Sequence, residues 1–104
     1  MADEMPHYCL TLICPPSVEE KLLDALLANA GSEVFTSTPT YSHGTAQGRL
    51  TASEQVMGRS RAVQVNVLLT EEELGRLREQ LQREFAGTGV RYWTSPLAHE
   101  GEFA

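Results

Sequence analysis

The residues whose types and spacing best suit chemistry are two arginines one position apart, Arg59 and Arg61. In an extended chain both guanidinium groups project to the same side, a geometry that suits a phosphate or a carboxylate. Gly58 before them gives the backbone freedom, and Arg49 adds a third cation to the same segment. The alternative is that these arginines pair with acidic side chains such as Glu54, or with a neighbouring subunit. The residues alone leave both interpretations open.

A soft metal ion is the second candidate ligand. His7 and Cys9 are two positions apart on one face of a predicted strand, and imidazole and thiolate groups bind soft transition metals. His43 lies in a long central segment and His99 near the end of the chain, positions from which a second subunit can complete a site. The alternative is that each histidine is an ordinary surface residue, since the sequence has no Cys-x-x-Cys pair.

Catalysis by these residues is not expected. Cys9 falls in the middle of a strand, where a buried structural thiol is the ordinary interpretation, and Ser17 is explained as a helix cap. The sequence contains no Gly-x-Ser-x-Gly elbow, no Walker lysine motif and no His-Glu-x-x-His zinc motif. We therefore predict a protein that is not an enzyme.

Composition narrows the possible partners. The chain has 8 Lys and Arg against 14 Asp and Glu, and its net charge of -6 opposes binding to nucleic-acid phosphates. No basic and apolar leader opens the chain, and no apolar run approaches the roughly 20 residues of a membrane span. Cys9 and Cys14 are predicted to lie too far apart along one strand to form a disulfide. These features predict a cytoplasmic protein without membrane insertion, and 104 residues predict a single domain over 1–104.

Hydrophobic periodicity predicts four strands and two helices. The predicted strands cover residues 7–13, 34–41, 62–69 and 90–94. A capping box, Ser17 with Glu20 and again Thr70 with Glu73, begins each helix. Residues 39–61 have no hydrophobic periodicity, and a tail follows from about residue 96.

This order predicts an α+β fold, a ferredoxin-like βαββαβ unit with a four-stranded antiparallel sheet and both helices on one face. Apolar residues occur on both faces of the strands, so we expect another subunit to cover the second face. Loops longer than about a dozen residues are usually functional or disordered, which predicts that segment 39–61 is mobile and functional.

Several short motifs in this order resemble the PII-like signalling superfamily. They lie at residues 10–16 (LTLICPP), 35–37 (FTS), 42–44 (SHG), 54–61 (EQVMGRSR) and 92–96 (YWTSP). The resemblance spans residues 8–97. It is closest to a branch often encoded beside heavy-metal efflux pumps of the RND type.

The resemblance implies a homotrimer whose sheets pack around the threefold axis. It implies a non-enzymatic regulator that binds a small effector and acts on a partner through segment 39–61, the mobile T-loop. A role in heavy-metal homeostasis follows, with a transition metal or a small anion as effector and an efflux transporter as partner. The alternative is an adaptor for such a pump with no ligand of its own. Nucleotide-binding relatives have a longer, lysine-containing link before the fourth strand than Gly87-Thr88-Gly89, so an adenine nucleotide is not expected.

Overall fold

The structure, a computed structural model, describes residues 7–30, 35–43 and 59–104. The described elements follow one another along the chain: β1 (His7–Cys14), a 3₁₀ turn (Pro16–Val18), α1 (Glu19–Ala30), β2 (Phe35–His43), β3 (Arg59–Thr70), α2 (Glu71–Phe85) and β4 (Arg91–Leu97). Within the described residues the strands form one antiparallel sheet in the order β2-β3-β1-β4. This arrangement confirms the predicted ferredoxin-like fold class.

The core lies between one face of this sheet and the two helices. Alternate residues of the central strands point into it, so that Leu10, Leu12, Val65 and Val67 are almost completely buried. The helices contribute their apolar stripes, which are Leu22, Leu26, Leu74, Leu77 and Phe85. The apolar residues that alternate along the strands and those at helical spacing along the helices therefore pack together in one core layer.

The second helix begins as the sequence predicts. The hydroxyl of Thr70 accepts a hydrogen bond from the backbone N–H of Glu73 at 3.2 Å, and the Glu73 carboxylate accepts one from the Thr70 N–H at 2.8 Å. At its other end, Gly87 adopts a positive φ of 81°, which favours glycine. This short turn leads directly into β4.

The first helix begins differently from the prediction. Ser17 lies inside the 3₁₀ turn, and the N-cap of that turn is Pro15, whose carbonyl accepts from the Val18 N–H at 3.1 Å. The predicted capping box of Ser17 with Glu20 is therefore wrong. The fixed φ angles of Pro15 and Pro16 set the backbone conformation at the start of this turn, so Ser17 does not occupy an N-cap position.

The strands β2 and β3 extend further than their sequence pattern predicts. Residues Arg59–Ala62 of β3 pair only with Thr40–His43 of β2, past the end of β1 at Cys14. These four pairs form a two-stranded ribbon about 13 Å long at roughly 3.3 Å per residue. Of the predicted mobile segment 39–61, both ends are thus strand, and residues 44–58 lie outside the described residues.

Among the residues that the structure describes, no helix has the length and apolar character needed to cross a membrane.

Candidate functional site

The predicted anion site lies on the ribbon. Arg59 and Arg61 alternate along β3 and so project to the same side, as predicted. The register places Tyr41 directly opposite Arg61 and His43 directly opposite Arg59, so these four side chains share one face. We call this the cationic ribbon face.

Arg59 stacks on Tyr41 within the cationic ribbon face. Its guanidinium carbon lies 4.3 Å from the centroid of the Tyr41 ring, which is half exposed. Such a cation–π contact orients the planar guanidinium without consuming its N–H donors. Two guanidinium groups on one face of a ribbon suit a carboxylate, a phosphate or an acidic partner.

Tyr41 is the residue of this face that sequence reasoning missed. The sequence pattern places it only at the base of the long loop. The register supplies the contact, because a diagonal neighbour across two paired strands lies within reach of long and aromatic side chains. Gly58 and Arg49, the other two predicted anion-site residues, lie outside the described residues.

The predicted metal ligands lie at both ends of the sheet. His7 pairs with Thr70 and His43 pairs with Arg59, eleven positions apart on β3, which is about 36 Å at roughly 3.3 Å per residue. His7 and His43 of one chain therefore cannot bind the same ion. The described residues contain no group of three His, Cys, Asp or Glu side chains that could hold a metal ion.

His7, Cys9 and His99 lie toward one end of the sheet. His7 and Cys9 share the side of β1 that faces away from the helices, as their spacing predicts. Leu97, the last residue of β4, pairs with His7, and His99 follows two positions later. Imidazole and thiol groups suit a soft metal ion, but this set supplies fewer ligands than a closed site needs unless further copies contribute.

The sheet face away from the helices, here called the open face, combines polar and apolar groups. Thr11 is 7% exposed, and its hydroxyl donates to Asn66 Oδ1 at 2.7 Å. The Cys9 thiol lies 3.7 Å from the same oxygen, a distance that fits a weak sulfur hydrogen bond. Trp93 pairs with Thr11 from β4 and is 52% exposed.

The cysteines are both free, which confirms that they form no disulfide. Cys14 lies on the opposite face from Cys9 and is completely buried among core residues, although its place at a strand end suggests exposure. Burial raises the pKa of the Cys14 thiol to about 11, and the carboxylate of Glu19 adds to the shift. At neutral pH Cys14 is a protonated structural thiol and not a nucleophile.

Solved structures with the same fold cover nearly the whole chain. A DUF3240 family protein from Shewanella baltica aligns with a TM-score of 0.76 at 14% identity, covering 94% of this chain and 97% of that one. A putative PII-like signalling protein from Thermus thermophilus aligns with a TM-score of 0.65 at 18% identity, covering 89% and 88%.

The periplasmic divalent cation tolerance protein CutA from Archaeoglobus fulgidus aligns with a TM-score of 0.67 at 13% identity, covering 92% of this chain and 88% of that one. At these identities the similarity establishes the PII-like fold. None of the curated protein sequences matches this chain significantly. Residues 5–104 match the sequence family described as "Protein of unknown function (DUF3240)", and the chain belongs to this family.

Proposed function

We propose that this protein is a non-enzymatic, trimeric PII-like regulator that binds a small effector and acts on a partner protein through the cationic ribbon face and residues 44–58. The observation that carries the proposal is the stacked pair of Arg59 and Tyr41. This pair lies near the end of β2 and at the start of β3, next to the segment that joins the two strands. A ligand bound there is positioned to influence that segment.

The proposal of a trimer is based on the open face of the sheet. No described helix covers it, and it carries Ile13, Leu68 and Trp93 beside buried Thr11 and its partly buried hydrogen-bond partner Asn66. One face of the sheet already packs on the helices. The apolar residues of the open face therefore need a further layer if they are to be buried as well. Covering the open face with copies of the same chain would gain the buried area that a small domain lacks.

The anion interpretation of the effector rests on charge and geometry. The guanidinium groups of Arg59 and Arg61 lie on one side of the ribbon in a chain whose net charge is -6. A carboxylate or phosphate bridging two guanidiniums forms charge-assisted hydrogen bonds, which are stronger than neutral ones. The same face suits an acidic segment of a partner protein.

The metal interpretation requires the trimer. His7, Cys9 and His99 lie toward one end of the sheet, and three copies of them would supply enough nitrogen and sulfur ligands for a soft ion. His43 would need copies of itself or residues 44–58 to complete a separate site. The fold neighbour from Archaeoglobus fulgidus is named for divalent cation tolerance, which is consistent with a role in heavy-metal homeostasis.

The second candidate is an adaptor that binds a membrane efflux pump, or another regulated protein, without an effector. Tyr41 favours it, because tyrosine and arginine are enriched among the residues that carry most of the energy of protein interfaces. A half-exposed tyrosine held by Arg59 is preorganised for such a contact. An adenine nucleotide is not proposed as effector, since the link between α2 and β4 contains no lysine.

The test begins with the mass of the chelator-treated protein by light scattering, where a trimer has three times the 11.5 kDa of one chain. Thermal unfolding is then measured with zinc, cobalt, nickel, copper(I) and cadmium, and with phosphate and bicarbonate. A ligand at a hundred times its dissociation constant adds about 2.7 kcal/mol per site, which raises the midpoint by several degrees.

Matched variants show which site causes any ligand-induced rise in the unfolding midpoint. Arg59→Ala should abolish a rise in the unfolding midpoint caused by an anion, and Arg59→Lys should keep part of it. Arg76→Ala, which removes an exposed arginine of α2 away from the ribbon, should leave it unchanged. His7→Ala should abolish a metal shift that arises at that end of the sheet. A trimer that no ligand stabilises would favour the adaptor, and a monomer at micromolar concentration would refute the trimeric regulator.

A further inference from the structure

A groove of about 750 Å³ lies between α2 and the edge strand β4, on the helix-covered side of the sheet. Its floor is apolar and comes from both layers: Leu10, Leu12, Leu81, Phe85 and Val90. The volume falls within the roughly 300–1,000 Å³ that is usual for small-molecule sites. The groove lies on the opposite side of the sheet from the open face, so a subunit that covers the open face does not fill it.

The rim of the groove is polar and carries more positive than negative charge. Arg78 Nη2 donates to the hydroxyl of Tyr92 at 2.9 Å, and the Arg78 guanidinium lies 5.4 Å from the Tyr92 ring centroid. Arg83 adds a second guanidinium, against one carboxylate from Glu79. A locally positive, half-apolar groove in a chain of net charge -6 suits a small anion with a hydrophobic body.

Gly75 forms one side of the groove. It lies inside α2 and lines the groove, although glycine is the least favourable residue in a helix interior after proline. A Cβ added at this position would meet no atom within 4 Å, so packing within the chain does not require glycine. The missing side chain keeps the groove wide and allows a bound group to approach the helix backbone closely.

We infer that this groove is a binding site for a small amphipathic anion, a flat apolar body that carries one carboxylate or sulfonate. The apolar body lies on the floor formed by Leu81 and Val90, and the anionic group binds Arg78 and Arg83. The site is independent of the cationic ribbon face and requires neither a metal ion nor a particular oligomeric state.

The test uses 8-anilinonaphthalene-1-sulfonate, an aryl sulfonate whose fluorescence increases when it leaves water. We expect saturable binding of one probe per protomer. Indole-3-acetate, a flat apolar carboxylate, should displace the probe at least tenfold more effectively than indole-3-acetamide, which has the same ring without the charge. Equal displacement by the two compounds would overturn the requirement for an anion.

Variants locate the probe. Gly75→Met places a side chain at the rim of the groove and should weaken binding at least tenfold, and Arg78→Gln should do the same through the loss of charge. Arg76→Met is the matched control, since Arg76 is an exposed residue of the same helix that does not line the groove. Ile13→Thr is the control for binding on the open face.

The outcomes are distinct. The inference is supported if Gly75→Met and Arg78→Gln weaken binding while Arg76→Met and Ile13→Thr do not. It is overturned if neither groove variant changes the affinity, if only Ile13→Thr does, or if wild-type protein shows no saturable binding. A folded Gly75→Met variant is expected because its side chain extends into open space. If that variant fails to fold, Arg78→Gln alone decides the result.

Discussion

The buried thiol of Cys14 makes the stability of this protein depend on pH in a predictable direction. Its pKa is about 11 in the folded protein, against an unperturbed value of 9.0, mainly because burial disfavours the thiolate. Between pH 9 and pH 11 the unfolded chain has released this proton while the folded chain still holds it. The stabilisation by the protonated thiol is therefore complete below pH 9 and is lost as the pH rises toward 11.

The magnitude follows from the two pKa values. At pH 10 the difference corresponds to about 1.4 kcal/mol of lost unfolding free energy, and well above pH 11 to about 2.7 kcal/mol, since one pKa unit is worth 1.36 kcal/mol. The perturbation is Cys14→Ala, which removes the titrating group. Its cavity cost is the same at every pH and cancels when each variant is compared with itself.

The assay is urea unfolding at pH 8 and at pH 10, with protein concentration held constant. Wild-type protein should lose about 1.4 kcal/mol more than Cys14→Ala between the two pH values. Cys9→Ala is the control and should behave as wild type, because the Cys14 thiol remains. Glu19→Gln should lose slightly less than wild type, since the Glu19 carboxylate is the smaller cause of the shift. Equal losses in wild type and Cys14→Ala would refute this account of the core.

Three further variants test other parts of the structure. Thr70→Ala removes the α2 capping box and should lower the unfolding free energy by about 1 kcal/mol. Thr70→Ser keeps the capping hydroxyl and should keep most of that stability. Equal unfolding midpoints for the two variants would contradict the role of the cap. Gly75→Ala should raise the unfolding midpoint by about 4–8 °C, because it removes the roughly 1 kcal/mol cost of a helix-interior glycine; a lower midpoint would show that a Cβ there is not tolerated. Ile13→Asp places a carboxylate on the open face and should dissociate the trimer that we propose at least tenfold more readily, seen by light scattering and by a red shift of the single tryptophan, Trp93; an unchanged mass would place the interface elsewhere.

The core could be predicted from the sequence because its signals are local. Alternation along β3 identifies Val65 and Val67, and helical spacing identifies Leu74 and Leu77, without knowledge of what packs against them. The order of these elements then leaves few topologies, and the ferredoxin-like fold is the one observed.

The ribbon and the groove could not be predicted because they depend on contacts between distant segments. Ser42 and Ser60 carry no apolar alternation, so only their pairing with each other identifies them as strand. The groove has no motif, since its lining comes from β1, from α2, from the link that follows α2, and from β4. Gly75 is the one available signal, a glycine inside a strong helical pattern, which without a structure indicates only a weak helix position.

The distances along the sheet decide which of the proposed effector sites depend on assembly of several chains. Because about 36 Å of strand separates His43 from His7, one chain cannot combine them, and each metal site that we propose needs ligands from further copies or from residues 44–58. The groove between α2 and β4, by contrast, is formed within one chain. A monomeric Ile13→Asp variant, whose new carboxylate lies four residues from Cys9 along β1, should therefore lose any metal ion bound by His7 and Cys9 while still binding the aryl sulfonate. If the monomer kept its metal affinity, the ligands would belong to one chain, and the role of the trimer in effector binding would have to be abandoned. If it lost both ligands, the groove would depend on assembly as well, and its independence from the trimer would be refuted.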